Sequence, residues 1–465
     1  MRTGAVLTVG GSDSSCGAGI QADLKTFAAL GVECACVITA VTAQSVRGVR
    51  GISEIPATFV RSQLEAVMED HEIEYAKTGM LYSANIVNIV SDVFEENNVK
   101  FVLDPVIRAG TGDTLLNNDA LDTMIKRLLP VSSVVTPNVH EAEAISGVKI
   151  ETIEEAREAA VKIAELGART IIIKGGHLRL QTDSEIAADI IYDAEKDEFE
   201  TIKSRFIRKE HVHRTHGAGC TFSAALTAAL ARGYALKEAA MLAKNFVSDA
   251  IKFGDVFENV VIVNQTASIL RRAYRHAVIE TMKDAVEQLR QMEAFRMLIP
   301  EVGSNLGMAS EDAHDEYDVA AIDGRITHTK NGFRIGNIEF GASSHVARAI
   351  LTMMQFNRAI KSAINVKYSP EIVEICERLF VVASFEREKE PEGAKTMEWG
   401  VRSAVLKALK EHGTVPDVIF DRGAVGKEPI IRIFGRDAVE VVEKVGRILE
   451  SVKCNESFFS FEKAH

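Results

Sequence analysis

The first half of the chain alternates short apolar, β-branched runs with amphipathic stretches. Residues 5–9, 36–41, 101–103, 133–136 and 170–173 read as strands, and the segments between them carry a helical period. Within residues 120–129, Leu121, Met124, Ile125 and Leu128 fall on one face. This alternation predicts βαβ units, hence an α/β fold with a mostly parallel sheet flanked by helices. Polar or glycine motifs follow the predicted strands: Gly10-Gly11-Ser12, Thr42-Ala43-Gln44, Asp104-Pro105, Pro137-Asn138 and Lys174-Gly175-Gly176. Ligands of open α/β sheets bind beyond the carboxyl ends of strands, so these five motifs are expected on one rim.

The pattern changes after residue 265. Ile269, Leu270, Ala273, Ala277, Met282, Ala285, Val286, Leu289 and Met292 trace a helical stripe, and no proline interrupts it before Pro300. A chain of 465 residues exceeds one ordinary core. We therefore expect a first domain over 1–265, a helical connector over 266–291, and a second α/β domain over 292–465. The last has its own glycine punctuation, including Gly303, Gly324, Gly341 and Gly423.

Composition narrows the function classes. A formal charge of −12 argues against a general nucleic-acid binder. No apolar run approaches the roughly 20 residues that span a bilayer, so no membrane partner is expected. The cysteines at 16, 34, 36, 220, 376 and 454 are scattered without metal-ligand spacing. A reducing cytoplasm is the simplest setting.

Candidate chemistry concentrates at Thr215-His216-Gly217-Ala218-Gly219-Cys220-Thr221. A glycine turn there runs into a small-residue helix, and free N–H groups at a helix start attract anions. Gly217 and Gly219 would form the anion nest, with Cys220 on the same turn as a proton acceptor for phosphoryl transfer to an alcohol. The plainer alternative is a tight turn with an inert cysteine. Asp104 and Glu141 are rim carboxylates suited to magnesium; a lone loop acid is more often merely solvated. Lys174 leaves an apolar strand where a point charge can meet phosphates. Gln44 offers both a donor and an acceptor to a heterocycle edge.

The opening Val9-Gly10-Gly11-Ser12-Asp13 with Cys16-Gly17-Ala18-Gly19 resembles hydroxymethylpyrimidine/phosphomethylpyrimidine kinases of the ribokinase-like superfamily. The resemblance continues through Thr42-Ala43-Gln44, Lys77-Thr78-Gly79-Met80-Leu81, Leu103-Asp104-Pro105-Val106, Thr136-Pro137-Asn138 with Glu141, Lys174-Gly175-Gly176-His177 and the Cys220 turn. It covers roughly residues 3 to 250. It implies ATP as a substrate with Mg2+ at Asp104 and Glu141, Asn138 and Lys174 on the phosphates, and a pyrimidine pocket of Gly11, Ala18, Gln44, Met80 and Val106. A homodimer is also implied. Sugar kinases of the superfamily carry aspartate where this chain has Cys220, which points to a pyrimidine or pyridoxal-like substrate. Cys16 stands where glycine is usual, Arg108-Ala109 departs from the usual lysine-serine, and the usual kinase ending is missing near residues 251–265.

From Ile299-Pro300-Glu301-Val302-Gly303 onward the chain resembles the thiamine-phosphate synthase domain found fused to these kinases. The carrying motifs are Asp323-Gly324-Arg325, Gly341-Ala342-Ser343-Ser344-His345 with Arg348, Ser384-Phe385-Glu386-Arg387, Asp421-Arg422-Gly423 and Gly426-Lys427-Glu428. The implied reaction is condensation of hydroxymethylpyrimidine diphosphate with thiazole phosphate. Arg325 and His345 map to the family's functional arginine and histidine, with Ser343, Ser344, Arg348 and Arg422 as further anion contacts. Helix capping by the serines and a structural histidine are the plainer readings. A rival class is a non-catalytic ligand-sensing or assembly domain beside a pyrimidine or pyridoxal kinase.

Overall fold

The computed structural model describes residues 4–453 apart from 177–178, 181–182, 208, 210–211, 213, 331, 392, 394–395 and 425. His177 of the Lys174 motif and Cys454 lie outside the described residues. The chain divides into two compact units, Met1–Ile269 and Leu270–His465.

The first unit is built on strands β1 (Val6–Asp13), β2 (Cys34–Ser45), β3 (Gly48–Glu54), β4 (Tyr75–Thr78), β5 (Lys100–Leu103), β6 (Val134–Val135), β7 (Thr170–Ile173), β8 (Arg179–Leu180), β9 (Asp183–Asp193) and β10 (Glu198–Arg205). Their order is β10-β9-β7-β6-β5-β4-β1-β2-β3, with β8 on β9. From β2 through β7 the neighbours are parallel; β3, β9 and β10 add antiparallel edges.

Helices cover both faces. On one lie α1 (Gly19–Ala29), α7 (Ala218–Ala231) and α8 (Leu236–Lys252); on the other lie α2 (Ala57–Asp70), α3 (Ala84–Glu96), α4 (Asn118–Arg127), α5 (Val139–Ser146) and α6 (Ile153–Glu165). Phe101 and Leu103 enter the core under α2–α6, whereas Val102 enters the core under α7 and α8. This is the period-two alternation of a strand buried on both faces. A smaller sheet, β11 (Arg214–His216), β12 (Asp255–Phe257) and β13 (Val260–Ile262), leads into α7.

Two motifs expected beyond strands lie inside them. Strand β1 runs through Gly10-Gly11-Ser12 to Asp13, with an irregularity between Gly10 and Ser12. Strand β2 continues through Gln44 because β3 folds back on it, Gln44 opposite Val49. A paired neighbour satisfies the backbone of the overhang, so the strand continues past its apolar run.

In the second unit, α9 (Ala267–Gln291) precedes β14 (Leu306–Ala309), β15 (Val319–Ile322), β16 (Ile326–Thr329), β17 (Gly332–Ile335), β18 (Ile338–Phe340), β19 (Ser362–Lys367), β20 (Val382–Ser384), β21 (Val418–Asp421) and β22 (Ile430–Gly435). The main sheet runs β18-β15-β14-β19-β22-β21-β20, and β16 with β17 forms a hairpin. Its pairings are antiparallel except β20 with β21. Helices α11 (Pro370–Leu379) and α13 (Ala438–Lys453) cover one face; α10 (Ser344–Met354) and α12 (Thr396–His412) cover the other. Val278, Met282, Ala285, Val286 and Leu289 of α9 are buried in the core with α11 and α13. The later part of the apolar stripe, Met282, Ala285, Val286 and Leu289, thus faces the core, whereas its first part, Ile269, Leu270, Ala273 and Ala277, is exposed.

Candidate active sites

Parallel strands deliver the ends of β4, β5, β6 and β7 to one rim, and there the chain builds a row of buried charges. Lys174 Nζ lies 2.7 Å from Asp104 Oδ1, and Asp104 Oδ2 lies 3.8 Å from Lys77 Nζ. Lys77 donates to both oxygens of Asp23, at 3.1 and 3.0 Å, and Thr8 donates to Asp23 at 2.7 Å. Burial raises the proton affinity of Asp104, but the lysines outweigh it and hold the carboxyl below its ordinary range. Burial likewise opposes the charge on Lys77, yet Asp23, Cys220 and Asp104 together keep its affinity raised. Lys77, Asp23 and Asp104 are each 1% exposed, so these are enclosed ions that survive because each has a partner.

The turn into α7 is held by fit. Gly217 has φ +90, and a Cβ there would sit 1.8 Å from the Gly17 carbonyl oxygen. A Cβ on Gly17 would meet the His216 ring at 2.2 Å. His216 Nε2 lies 2.9 Å from Asp13 Oδ2, and Ala18 N–H donates to the same oxygen at 2.8 Å. Burial raises the affinity of Asp13, but hydrogen bonds from His216, Ser15 and Ala18 bring its pKa down to about 2. The segment from Asp13 to Ala18 is thereby clamped onto the first turn of α7. Cys16 adopts φ +57, a left-handed conformation that accounts for the usual glycine at this place. Lys174 Nζ lies 3.4 Å from where a Cβ on Gly219 would be, so its ammonium stands at the start of α7. Backbone N–H groups there and one lysine make an anion cradle.

Burial and helix capping also act on these residues. Burial pushes the Cys220 thiol up to about 11, and the Lys77 charge only partly opposes this. The helix start alone does not yield a ready thiolate. Asn138 and Glu141 form a capping box on α5: Asn138 N–H donates to Glu141 Oε2 at 2.8 Å, and Glu141 N–H donates to Asn138 Oδ1 at 2.9 Å. Their spacing therefore has a local structural purpose. Burial, with the nearby Asp104 charge and against Lys174, raises Glu141 to about 7. Among the described residues no group of three or more His, Cys, Asp or Glu side chains could hold a metal.

Of the five expected pocket residues, Gly11, Met80 and Val106 pack together. A Cβ on Gly11 would lie 2.9 Å from Met80 Sδ, and Met80 packs with Ala40, Leu115 and the half-buried Val106. Gln44 is half-buried beside them in sequence with Thr42, whose hydroxyl donates to Gln44 Oε1 at 3.3 Å. Ala18 is the residue before α1. Sequence reasoning left out Lys77, Asp23, Asp13 and His216 as site residues. A lysine within an apolar strand was the available signal for Lys77; the Asp13–His216 contact spans 203 residues and had none.

The second unit contains a cavity of about 370 Å³ whose lining includes Arg325, Ser343, His345, Arg387, Lys427 and Arg432, with Val346, Ala349, Ala363, Ile364 and Met397 as its apolar wall. Arg325 follows Gly324, and both have φ +65, so the turn from β15 to β16 carries a strained non-glycine residue. Its guanidinium donates to the Val302 carbonyl. His345 lies in the first turn of α10, whose early N–H groups have no intrahelical acceptors. Partial burial and the arginines at 348, 325, 432 and 387 hold its imidazole below the ordinary histidine range. Ser343 precedes α10 without a side-chain capping bond.

Three expected anion contacts stand elsewhere. Arg348 points to Glu316, at 2.8 Å, and does not line the cavity. Arg422 is exposed beyond β21 and also stays out of the lining, as does Ser344. Arg348 lies on the same side of α10 as His345, three residues on, and its guanidinium is engaged by Glu316. In their place stand Arg387 and Arg432, both paired with Asp421. Arg387 was visible only as part of a motif, and Arg432 lies in an apolar strand without one.

Comparison with known proteins assigns both units. The phosphomethylpyrimidine kinase family model matches residues 13–261, and the thiamine-phosphate synthase ThiN model matches residues 281–447. The bifunctional thiamine biosynthesis protein ThiDN of Methanocaldococcus jannaschii is 36% identical over 448 residues, covering 95% of this chain and 97% of its own. The chain belongs to this bifunctional thiamine biosynthesis family. It is a kinase joined to a thiamine-phosphate synthase, and its kinase family implies ATP as a substrate. The hydroxymethylpyrimidine/phosphomethylpyrimidine kinase of Haemophilus influenzae is 44% identical over 53% of this chain and 90% of its own. Pyridoxal kinase of Bacillus subtilis, solved with ADP, is similar at a TM-score of 0.51 and 35% identity, covering 57% of this chain and 98% of its own. These similarities place the first unit in the ribokinase-like fold. Among the described residues no helix is long and apolar enough to cross a membrane.

Proposed function

We propose that the first unit transfers phosphate from ATP to hydroxymethylpyrimidine and then to its monophosphate, and that the second unit condenses the resulting diphosphate with thiazole phosphate. Thiamine phosphate and diphosphate leave. The observation that carries this reading is one chain holding both a Lys174–α7 anion cradle and a cation-lined cavity around Arg325 and His345.

In the kinase, Lys174, Gly217, Gly219 and Asn138 hold the phosphates while Gly11, Ala18, Gln44, Met80 and Val106 receive the ring. Phosphoryl transfer through a loose transition state depends mainly on positioning and charge. Cys220 takes the alcohol proton, a role that requires Lys77 to favour its thiolate against burial. Magnesium suits the site as an ion held largely by phosphates and water, the usual case for Mg2+. Glu141 would bind it directly and Asp104, engaged by lysines, through water; bound there it would offset phosphate charge. In the synthase, Arg325 and His345 meet the departing diphosphate with Ser343 and the α10 N–H groups. His345 donates as a neutral imidazole. Arg348 and Arg422 act at most from a distance. A homodimer in a reducing cytoplasm fits the kinase resemblance and the free cysteines among the described residues.

Incubating the whole protein with hydroxymethylpyrimidine, thiazole phosphate, ATP and magnesium should yield thiamine phosphate by mass. Turnover of pyridoxal alone would reassign the kinase, and binding of thiamine phosphate without its formation would make the second unit a sensor.

A further inference from the structure

Two arginines share one carboxylate in the wall of the synthase cavity. Asp421 is fully buried and accepts from Arg387 Nε at 2.6 Å, Arg387 Nη2 at 3.1 Å and Arg432 Nη1 at 2.8 Å. The Gly423 N–H donates to it as well, at 2.9 Å. One arginine would neutralise Asp421; the second leaves a surplus positive charge in a nearly closed place. An uncompensated buried charge is costly, so folding alone gives no reason for it. Both arginines line the cavity. Of the other charged groups there, Glu428 is taken up by the Glu301 and Val302 N–H groups, each at 3.0 Å, and Lys427 lies 4.0 Å from Glu390.

The sheet order separates this pair from the Arg325 side. Arg325 follows β15, and Arg432 lies on β22, three steps away through β14 and β19. At about 4.8 Å per step, their strands stand roughly 14 Å apart. Val346, Ala363, Ile364 and Met397 occupy the same cavity as apolar lining. The cavity thus combines cations carried by separate parts of the fold with an apolar wall.

We propose that Arg387 and Arg432 form a second anion subsite that binds the phosphate ester of the thiazole substrate. The proposal rests on the condensation reading above. A phosphate monoester suits a compact surplus charge presented by guanidinium groups, which donate in a fixed fork. The diphosphate, with more charge and a bond to break, goes to the helix start, Arg325 and His345. Arg387 and Arg432 thus select the phosphorylated thiazole over the free alcohol.

The test uses the whole protein and Arg387→Gln, which leaves Asp421 paired with Arg432. Steady-state kinetics are measured with thiazole phosphate, with the thiazole alcohol, and with varied pyrimidine diphosphate. A charge-assisted hydrogen bond predicts that preference for thiazole phosphate over the alcohol falls about tenfold to a hundredfold. The KM for pyrimidine diphosphate should stay within about twofold, since that ligand does not touch the pair. Arg387→Lys should recover part of the preference. Equal losses with both thiazoles, or a rise confined to the diphosphate KM, would overturn the proposal. Should Arg387→Gln fail to fold, calorimetry on wild-type protein and Arg432→Lys decides: the phosphate must add affinity over the alcohol in wild type and less in the variant. Equal wild-type affinities refute the subsite. Absence of thiamine phosphate from wild type instead refutes the condensation reading, while the calorimetry still judges the subsite.

Discussion

The kinase rim balances its charges, whereas the synthase cavity does not. Lys174, Asp104, Lys77 and Asp23 form a row of alternating sign, two cations against two anions, enclosed at the ends of parallel strands. In the synthase, Arg325, Arg387, Lys427 and Arg432 line a cavity whose acids are Glu428 in the lining, Asp421 behind it and Glu390 beside Lys427, three against four cations. A balanced row can stay dry and rigid until a nucleotide arrives, with backbone N–H groups supplying the remaining attraction. A cavity with surplus cations is prepared for two anionic substrates at once. The difference follows from chemistry: one site places a phosphoryl group between two bound partners, and the other must absorb charge on a leaving diphosphate.

The sharpest way to break this comparison is to remove synthase cations. Arg325→Ala and His345→Ala should each reduce thiamine phosphate formation from preformed pyrimidine diphosphate by at least ~10²-fold, the usual cost of losing a donor to developing charge. Kinase turnover should survive in both, because the residues belong to different compact units. Loss of both activities in either variant would show that the sites are not independent.

Cys220→Ala should lower kinase turnover by roughly 10²-fold, at the lower end of general-base effects. The sign of its pH dependence is fixed by burial. With the thiol raised to about 11, its reactive form grows as pH rises, so wild-type kcat should increase through the alkaline range. The variant should lack that rise. A flat wild-type profile would assign the reaction to the charge row and the anion cradle alone.

Smaller effects separate binding from scaffold. Gln44→Leu should weaken pyrimidine binding by roughly 1–3 kcal/mol, the cost of an unpaired polar edge, and leave ATP binding nearly intact. Calorimetry showing equal losses would move Gln44 out of the ring pocket. Asn138→Ala should lower the stability of the first unit by about 1 kcal/mol in a denaturant titration, as expected for a lost cap. Asn138→Asp keeps the capping oxygen and should retain stability. Weaker ATP binding in that variant alone would show that the amide also meets phosphate.

Much of the kinase was legible in the chain because parallel strands bury both faces and so appear as short apolar runs with polar residues at their ends. Asp104, Asn138, Glu141 and Lys174 could be assigned to one rim from that order alone. The α7 turn was legible because its glycines are required by backbone geometry. Motifs also carried the family resemblance, and with it Arg325 and His345. Tertiary structure decided what those residues do to one another. Lys77 and Asp23 pair across 54 positions, His216 and Asp13 across 203, and no local period records either contact. Burial then determined that the Cys220 thiol rises, a sign that depends on the dielectric around the sulfur and not on the turn that carries it. Likewise, Arg348 and Arg422 had the right residue type in suggestive motifs, but the fold turned other arginines, 387 and 432, into the cavity. Charge type is written in the sequence; which charges share an enclosed space is set by the fold, because electrostatic strength depends on distance and desolvation.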